Sequence, residues 1–137
     1  MKQPDTKPIR LLLVDDHEVV RIGLRTLLER FPEIEVVGEA GTVATAISET
    51  ARLRPDVVLL DIRLPDGSGF TACREIQKMP TDTHVLVLTS YTDEEIVFEA
   101  IGSGADGYLL KEIDSEALVQ AIKKVATGQS ILDPAVT

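Results

Sequence analysis

Five short aliphatic runs limit what this chain can fold into: IRLLLV (9–14), IEVVGEA (34–40), DVVLL (56–60), HVLVLTS (84–90) and GYLL (107–110). All but the second are close to continuously apolar instead of alternating. A strand of that kind has no face to turn to water, so it must be covered on both sides, as in a parallel sheet between two helical layers. The segments between and after the runs carry the helical period that such layers need. Val20, Leu24, Leu27, Leu28 and Phe31 form one stripe, and Val43, Ala46, Ile47 and Ala51 a second. Phe70, Cys73 and Ile76, then Ile96, Val97, Ala100 and Ile101, then Ala117, Leu118, Ala121, Ile122 and Val125 supply three more.

Turn and cap residues punctuate these segments. Thr92 with Glu95 reads as a capping box for the fourth helix, Gly102 and Gly104 as its end, and Gly128 as the stop of the fifth. Pro32 and Pro55 fall in loops, Asp66-Gly67 after Pro65 is turn chemistry, and Ser68 is placed to cap a helix. The order is therefore βα repeated five times. Right-handed crossovers force helices onto both faces, giving a doubly wound three-layer α/β sandwich with the flavodoxin-like parallel order 2-1-3-4-5. One domain over residues 9–127 is expected, with residues 1–8 a flexible tail and 128–137 the start of a linker.

Composition narrows the function classes. A net charge of −9, from 14 basic and 23 acidic residues, with no basic run, leaves this chain a poor nucleic-acid binder on its own. No stretch reaches the roughly 18 to 20 apolar residues of a membrane span, and the N-terminus has no signal-peptide core, so a cytoplasmic protein is expected. The single cysteine, Cys73, has no disulfide or CxxC partner and reads as a small buried helix residue.

In such sheets ligands bind beyond the carboxyl ends of the strands, at the switch point between strands 1 and 3. Strand 1 ends in Asp15 and Asp16, strand 3 in Asp61, strand 4 in Thr89 and Ser90, and strand 5 runs into Lys111. Three crowded carboxylates repel unless a cation neutralises them. A hard divalent ion such as Mg2+ takes oxygen ligands of this kind, usually together with a phosphate. Lys111 offers a point charge to a phosphoryl oxygen and Thr89 a hydroxyl donor. The set suits phosphoryl transfer, with one of the carboxylates as nucleophile. His17 lacks a second imidazole at ligand spacing and reads as a solvated loop residue, and His84 as a core-edge or surface residue.

The stretches LLLVDDHEVVRIGL, DVVLLDIRLPDGSGF, VLVLTSYTDEE and GADGYLLKEI together resemble the receiver domain of two-component response regulators, over roughly residues 9–127. The wording of VVGEAGTVATAI and its neighbours is most similar to the subclass that precedes a LuxR-type helix-turn-helix domain, the nitrate and nitrogen-fixation regulator type. The resemblance implies a phosphorylation-dependent switch in which Asp61 is the phosphoacceptor and Asp15 and Asp16 hold Mg2+. It also implies that the Arg63 backbone carbonyl is a further metal ligand, that Thr89 and Lys111 contact the phosphoryl group, and that Tyr108 is the aromatic switch. Arg63 and Tyr91 lie, by the same resemblance, beside the path of the water that hydrolyses the acyl phosphate, so large side chains there imply a long-lived signal. The implied partners are a sensor histidine kinase, a second copy of the chain on phosphorylation, and DNA only through a C-terminal domain. The apolar stripe of the last helix, Leu118, Ile122 and Val125, is either the pairing surface or part of the core.

The chain stops at ILDPAVT, where that subclass enters its linker, so it reads as a receiver fragment or as a single-domain receiver. It is expected to modify itself, with autophosphatase activity, and not to turn over a free substrate. Two other classes remain open. One is a Mg2+-dependent phosphohydrolase using Asp61, although adjacent aspartates replace the usual DxD pattern and there is no length for a cap domain. The other is a phosphate-independent interaction module, which would be expected to lack some of these residues. A nucleotide-binding flavodoxin-like protein is weaker, since no glycine-rich loop follows strand 1.

Overall fold

The apolar runs divide their side chains between two cores, one on each face of a single sheet. The computed structural model describes residues 7–90 and 94–132. In chain order the elements are β1 (Ile9–Val14), α1 (Glu18–Leu28), β2 (Ile34–Ala40), α2 (Val43–Leu53), β3 (Val57–Leu60), β4 (Arg63–Leu64) and β5 (Gly67–Ser68). Then follow α3 (Gly69–Gln77), β6 (His84–Thr89), α4 (Glu94–Gly102), β7 (Gly107–Leu110), α5 (Ser115–Ala126) and β8 (Ile131–Leu132). Leu12, Val14, Val58, Leu60, Val85, Val87, Tyr108 and Leu110 pack against α2, α3 and α4 through Ala46, Phe70, Cys73, Ile76 and Ala100. Their neighbours in each strand, Leu11, Leu13, Val57, Leu59, Leu86, Leu88 and Leu109, point the other way onto Leu28 of α1 and Leu118, Ile122 and Val125 of α5. Strand residues of period two feeding two apolar layers are what a doubly wound sheet requires. Each fully buried Leu or Val contributes about 1.5–3 kcal/mol.

The sheet order is β2-β1-β3-β6-β7-β8, with every pairing parallel. Its first five strands reproduce the 2-1-3-4-5 order expected from the sequence. The second run, which alone alternates, is the edge strand β2, and its middle residues are half-buried.

The structure departs from the sequence reading in three places. Residues 128–137 were expected to be linker, but Ile131 and Leu132 add a sixth strand beside Gly107 and Tyr108. Gly128, at φ +93°, turns the chain back after α5, and a Cβ at Gly107 would lie 3.1 Å from the Ile131 carbonyl oxygen, so glycine at both positions permits the strand. On α2 the inward position is Thr50, whose hydroxyl donates to the Ala46 carbonyl at 2.6 Å, while Ala51 is exposed. On α4 Ile101 is 52% exposed, outside the apolar stripe. On α5 the alternative left open by the sequence falls to the core, in which Leu118, Ile122 and Val125 are buried. The Thr92–Glu95 capping box falls partly outside the described residues.

Ser68 caps α3 as expected, its hydroxyl accepting from the Phe70 amide at 3.0 Å. The Pro65-Asp66 tip joins the antiparallel β4 and β5, and Asp66 does more than turn the chain. Its carboxylate accepts from the Val43 and Ala44 amides at 2.7 and 3.1 Å, so it occupies the N-terminus of α2, and those bonds hold its carboxyl below the ordinary range.

Candidate functional site

Register alone brings the acidic residues together. Val14 of β1 pairs with Leu60 of β3, so the residues that follow, Asp15 and Asp61, leave the sheet side by side. The Asp61 amide donates to the Val14 carbonyl and the Asp15 amide to the Ala40 carbonyl, both at 3.0 Å. Leu110 of β7 pairs with Thr89 of β6, and the Lys111 amide donates to the Thr89 carbonyl at 2.8 Å, which launches Lys111 from the same edge. Its ammonium lies 3.1 Å from Asp15 Oδ2 and 3.2 Å from Asp61 Oδ2.

The structure adds two residues that the sequence reading did not place here. His17 is not simply a solvated loop residue. Its ring is 67% exposed, yet Nδ1 lies 3.1 Å from Asp15 Oδ1 and 3.0 Å from Asp16 Oδ1, and its amide donates to Asp15 Oδ1 at 2.8 Å. Nothing in its spacing signalled this, because the contact comes from the tight turn between β1 and α1. Gly69 opens α3 directly against the acceptor loop: a Cβ there would collide with the Asp61 carbonyl and lie 2.9 Å from Ile62 Cα. A glycine at the first turn of a helix, where propensity disfavours it, was the available signal.

Ligand atoms of Asp15, Asp16, His17 and Asp61 all lie within 4.8 Å of one another. A cavity of about 330 Å³ opens onto them, lined by Asp16, His17, Asp61, Arg63, Ser90 and Lys111. Asp15 is buried and does not itself line the cavity, and its oxygens contact His17 and Lys111. Thr89 is fully buried at the end of β6 while Ser90 reaches the cavity, and Tyr108 is buried in the core on the α4 side. Arg63 lines the cavity from the start of β4, and Tyr91 lies outside the described residues.

The electrostatics separate the two inner carboxylates. Burial pushes Asp15 up, but the His17 amide and Lys111 outweigh it and hold its carboxyl below the ordinary value. Asp61 is moved the other way: burial raises it, Lys111 opposes, and the charge of Asp15 adds to the rise. Lys111 is raised, because the two aspartates overcome the burial of its ammonium. Three carboxylates, those of Asp15, Asp16 and Asp61, face the one ammonium of Lys111 at this edge, which leaves a surplus of negative charge. Three converging carboxylates with that surplus of negative charge fit a hard divalent cation of the Mg2+ type.

His84 sits at the opposite end of β6, its Nδ1 3.3 Å from Asp106 Oδ1, and the Cys73 thiol donates to the Ser103 carbonyl at 3.4 Å inside the core. Among the described residues no helix is long and apolar enough to cross a membrane.

The comparisons with known proteins agree on one family. The model of the response regulator receiver domain matches residues 11–123. The chain is 50% identical over 125 residues to the DNA-binding transcriptional activator DevR/DosR of Mycobacterium tuberculosis, covering 91% of this chain and 58% of that protein. Among solved structures, a LuxR-family two-component response regulator from Aurantimonas sp. SI85-9A1 superposes with a TM-score of 0.89 at 35% identity, covering 95% of this chain and 93% of that one. The signal receiver domain of the putative response regulator NarL from Mycobacterium tuberculosis gives 0.86 at 32% identity, covering 90% and 99%. The chain spans about six-tenths of the length of the curated relatives it matches. It belongs to the response regulator receiver family, as a receiver domain of the LuxR-type regulators.

Proposed function

We propose that the chain is a phosphorylation-dependent switch that accepts a phosphoryl group on Asp61. The observation that carries this is the unequal setting of the two inner carboxylates. Both are buried and both contact Lys111, but Asp15 also accepts from the His17 amide and does not line the cavity, whereas Asp61 does. An Asp61 oxygen attacks the phosphorus of a phosphohistidine on a sensor histidine kinase. The P–O bond forms as the P–N bond breaks, and the departing imidazole takes its proton from solvent. Asp15, Asp16 and the Arg63 carbonyl, with Asp61, would hold Mg2+, which supplies neutralisation of the charge on the transferring group. Lys111, already 3.2 Å from Asp61 Oδ2, binds a phosphoryl oxygen, and Thr89 is drawn to another.

The dianion formed on Asp61 biases Thr89 and Tyr108, and through them α4, β7 and α5. This is self-modification, ended by hydrolysis of the acyl phosphate, as suits a family of signalling proteins and not of turnover enzymes. DevR/DosR is a DNA-binding activator by name, and the output here is read as a helix-turn-helix domain acting on DNA in the cytoplasm. Phosphorylation-linked pairing of two copies belongs to the same reading. With the α5 stripe consumed, it must use another surface, and sedimentation with and without a beryllofluoride mimic tests it, identical profiles refuting it.

The test of the switch is intact mass after incubation with acetyl phosphate. One labile phosphoryl group is expected with Mg2+, and none with a chelator or in Asp61→Asn. An adduct indifferent to the metal would overturn the reading.

A further inference from the structure

Arg21 is 17% exposed on the first turns of α1, far less than a solvated helix arginine. Its guanidinium donates from Nη1 to the backbone carbonyl of Asp15 and from Nε to Glu39 Oε1 at 3.0 Å. Glu39, in β2, also pairs with Arg25 Nε at 2.9 Å and stands next to Ala40, whose carbonyl accepts the Asp15 amide. Both polar groups of the Asp15 backbone are therefore held. Its carbonyl belongs to the peptide plane that carries the Asp16 amide, so the bond from Arg21 sets the direction in which Asp16 leaves the strand. Gly41 leaves room for this arrangement, since a Cβ there would lie 3.2 Å from Arg21 Nη1. A charged group this enclosed keeps one geometry only while its partners stay in place.

We propose that Arg21, aimed by Glu39, is a positioning residue that fixes the Asp15–Asp16 turn for cation binding. This rests on the reading of those aspartates as Mg2+ ligands. Arg25 supplies the internal control. It lies within ion-pair distance of Glu39, though its buried Nε makes no hydrogen bond there, and it makes no contact with Asp15, so a clamp that works only by charge between helix and strand would need both arginines.

Mg2+ affinity is measured by calorimetry for the parent, Arg21→Met, Glu39→Gln, Arg25→Met and the double variant Arg21→Met with Glu39→Gln. Thermal unfolding without metal confirms that each is folded. Loss of an outer support of a metal site weakens binding by about tenfold to a hundredfold, and the low end is expected for Arg21→Met. Glu39→Gln weakens binding in the same direction, and the double variant is no weaker than Arg21→Met, because both changes break one device. Arg25→Met stays within about twofold of the parent, because its Nε makes no hydrogen bond to Glu39 and the Arg21–Asp15 bond is left in place. A metal-free readout accompanies these: hydrogen exchange at the His17 amide, bonded to Asp15 Oδ1, quickens in Arg21→Met and not in Arg25→Met. Should Arg21→Met not fold, Glu39→Gln set against Arg25→Met decides. Equal effects of the two arginine changes, or unchanged Mg2+ affinity in Arg21→Met, would overturn the inference and leave the site reading intact. A parent that binds no Mg2+ would sink both.

Discussion

Lys111→Met removes the single ammonium that stands between Asp15 and Asp61 while keeping most of the apolar stem. At an effective dielectric of about 20, contacts of 3.1 and 3.2 Å each correspond to a gross attraction of about 5 kcal/mol. Most of that is offset by desolvation, and breaking a fully buried pair costs about 3–5 kcal/mol net. The Lys111 side chain is 28% exposed, so water screens part of the interaction, and a loss of about 2–3 kcal/mol is expected in the metal-free protein. With a urea m-value of about 2 kcal/mol/M, the midpoint falls by about 1–1.5 M. The pH dependence has a definite sign. Asp15, its burial outweighed by the His17 amide and Lys111, is held below its ordinary 3.8, so its stabilisation is present above that value and lost as pH falls through the folded one. Asp61, raised by burial against the pull of Lys111, takes up its proton above 3.8 and is relieved as pH falls. The gap between variant and parent is therefore widest near neutrality and closes as pH drops to about 4 and below. Mg2+ narrows the gap at neutral pH, because the ion supplies the charge that the methionine lacks. A variant as stable as the parent near neutrality with chelator present, or a gap that widens in acid, would refute this electrostatic account.

Asp16→Ala is expected to abolish Mg2+-dependent phosphorylation while metal-free unfolding stays level or rises, since one of three crowded carboxylates is gone; much earlier unfolding would make Asp16 structural. Gly69→Ala forces a Cβ against the Asp61–Ile62 backbone, which cannot give way as a side chain would, so urea unfolding should show a loss of about 1–3 kcal/mol, and no loss would contradict the close approach. Arg63→Asn with Tyr91→Glu is expected to speed decay of the phosphorylated protein at matched pH and Mg2+, because large side chains obstruct the attacking water; equal or slower decay would show that they do not set the lifetime.

What the sequence revealed and what it concealed follow from how far each signal acts. Continuous apolar runs such as LLLV report burial on two faces directly, and strand order then brings Asp15, Asp61 and Lys111 to one edge without any knowledge of side-chain geometry. The reading of His17 as a solvated loop residue fits its exposed ring but missed its contacts, because metal-ligand spacing looks for a second imidazole, whereas the turn after β1 folds the ring onto neighbouring carboxylates. Arg21 and Glu39 sit 18 positions apart and meet only through the β1–β2 register. The strand at Ile131–Leu132 escaped notice because two residues carry no periodicity, and the glycines that admit it read equally well as a helix stop and a strand start. Thr50 in place of Ala51 on α2 is a subtler case, in which a hydroxyl bonded to its own helix is buried more readily than hydropathy suggests.

The central claim is that one carboxylate, Asp61, becomes an acyl phosphate. Borohydride cleaves an acyl phosphate and reduces the acyl carbon to an alcohol, turning the modified aspartate into homoserine and leaving free carboxylates untouched. The protein is phosphorylated with acetyl phosphate and Mg2+, reduced, digested and sequenced by mass. Homoserine at position 61, absent when Mg2+ is withheld, is the predicted result; homoserine at position 15 or 16, or at none, would contradict it.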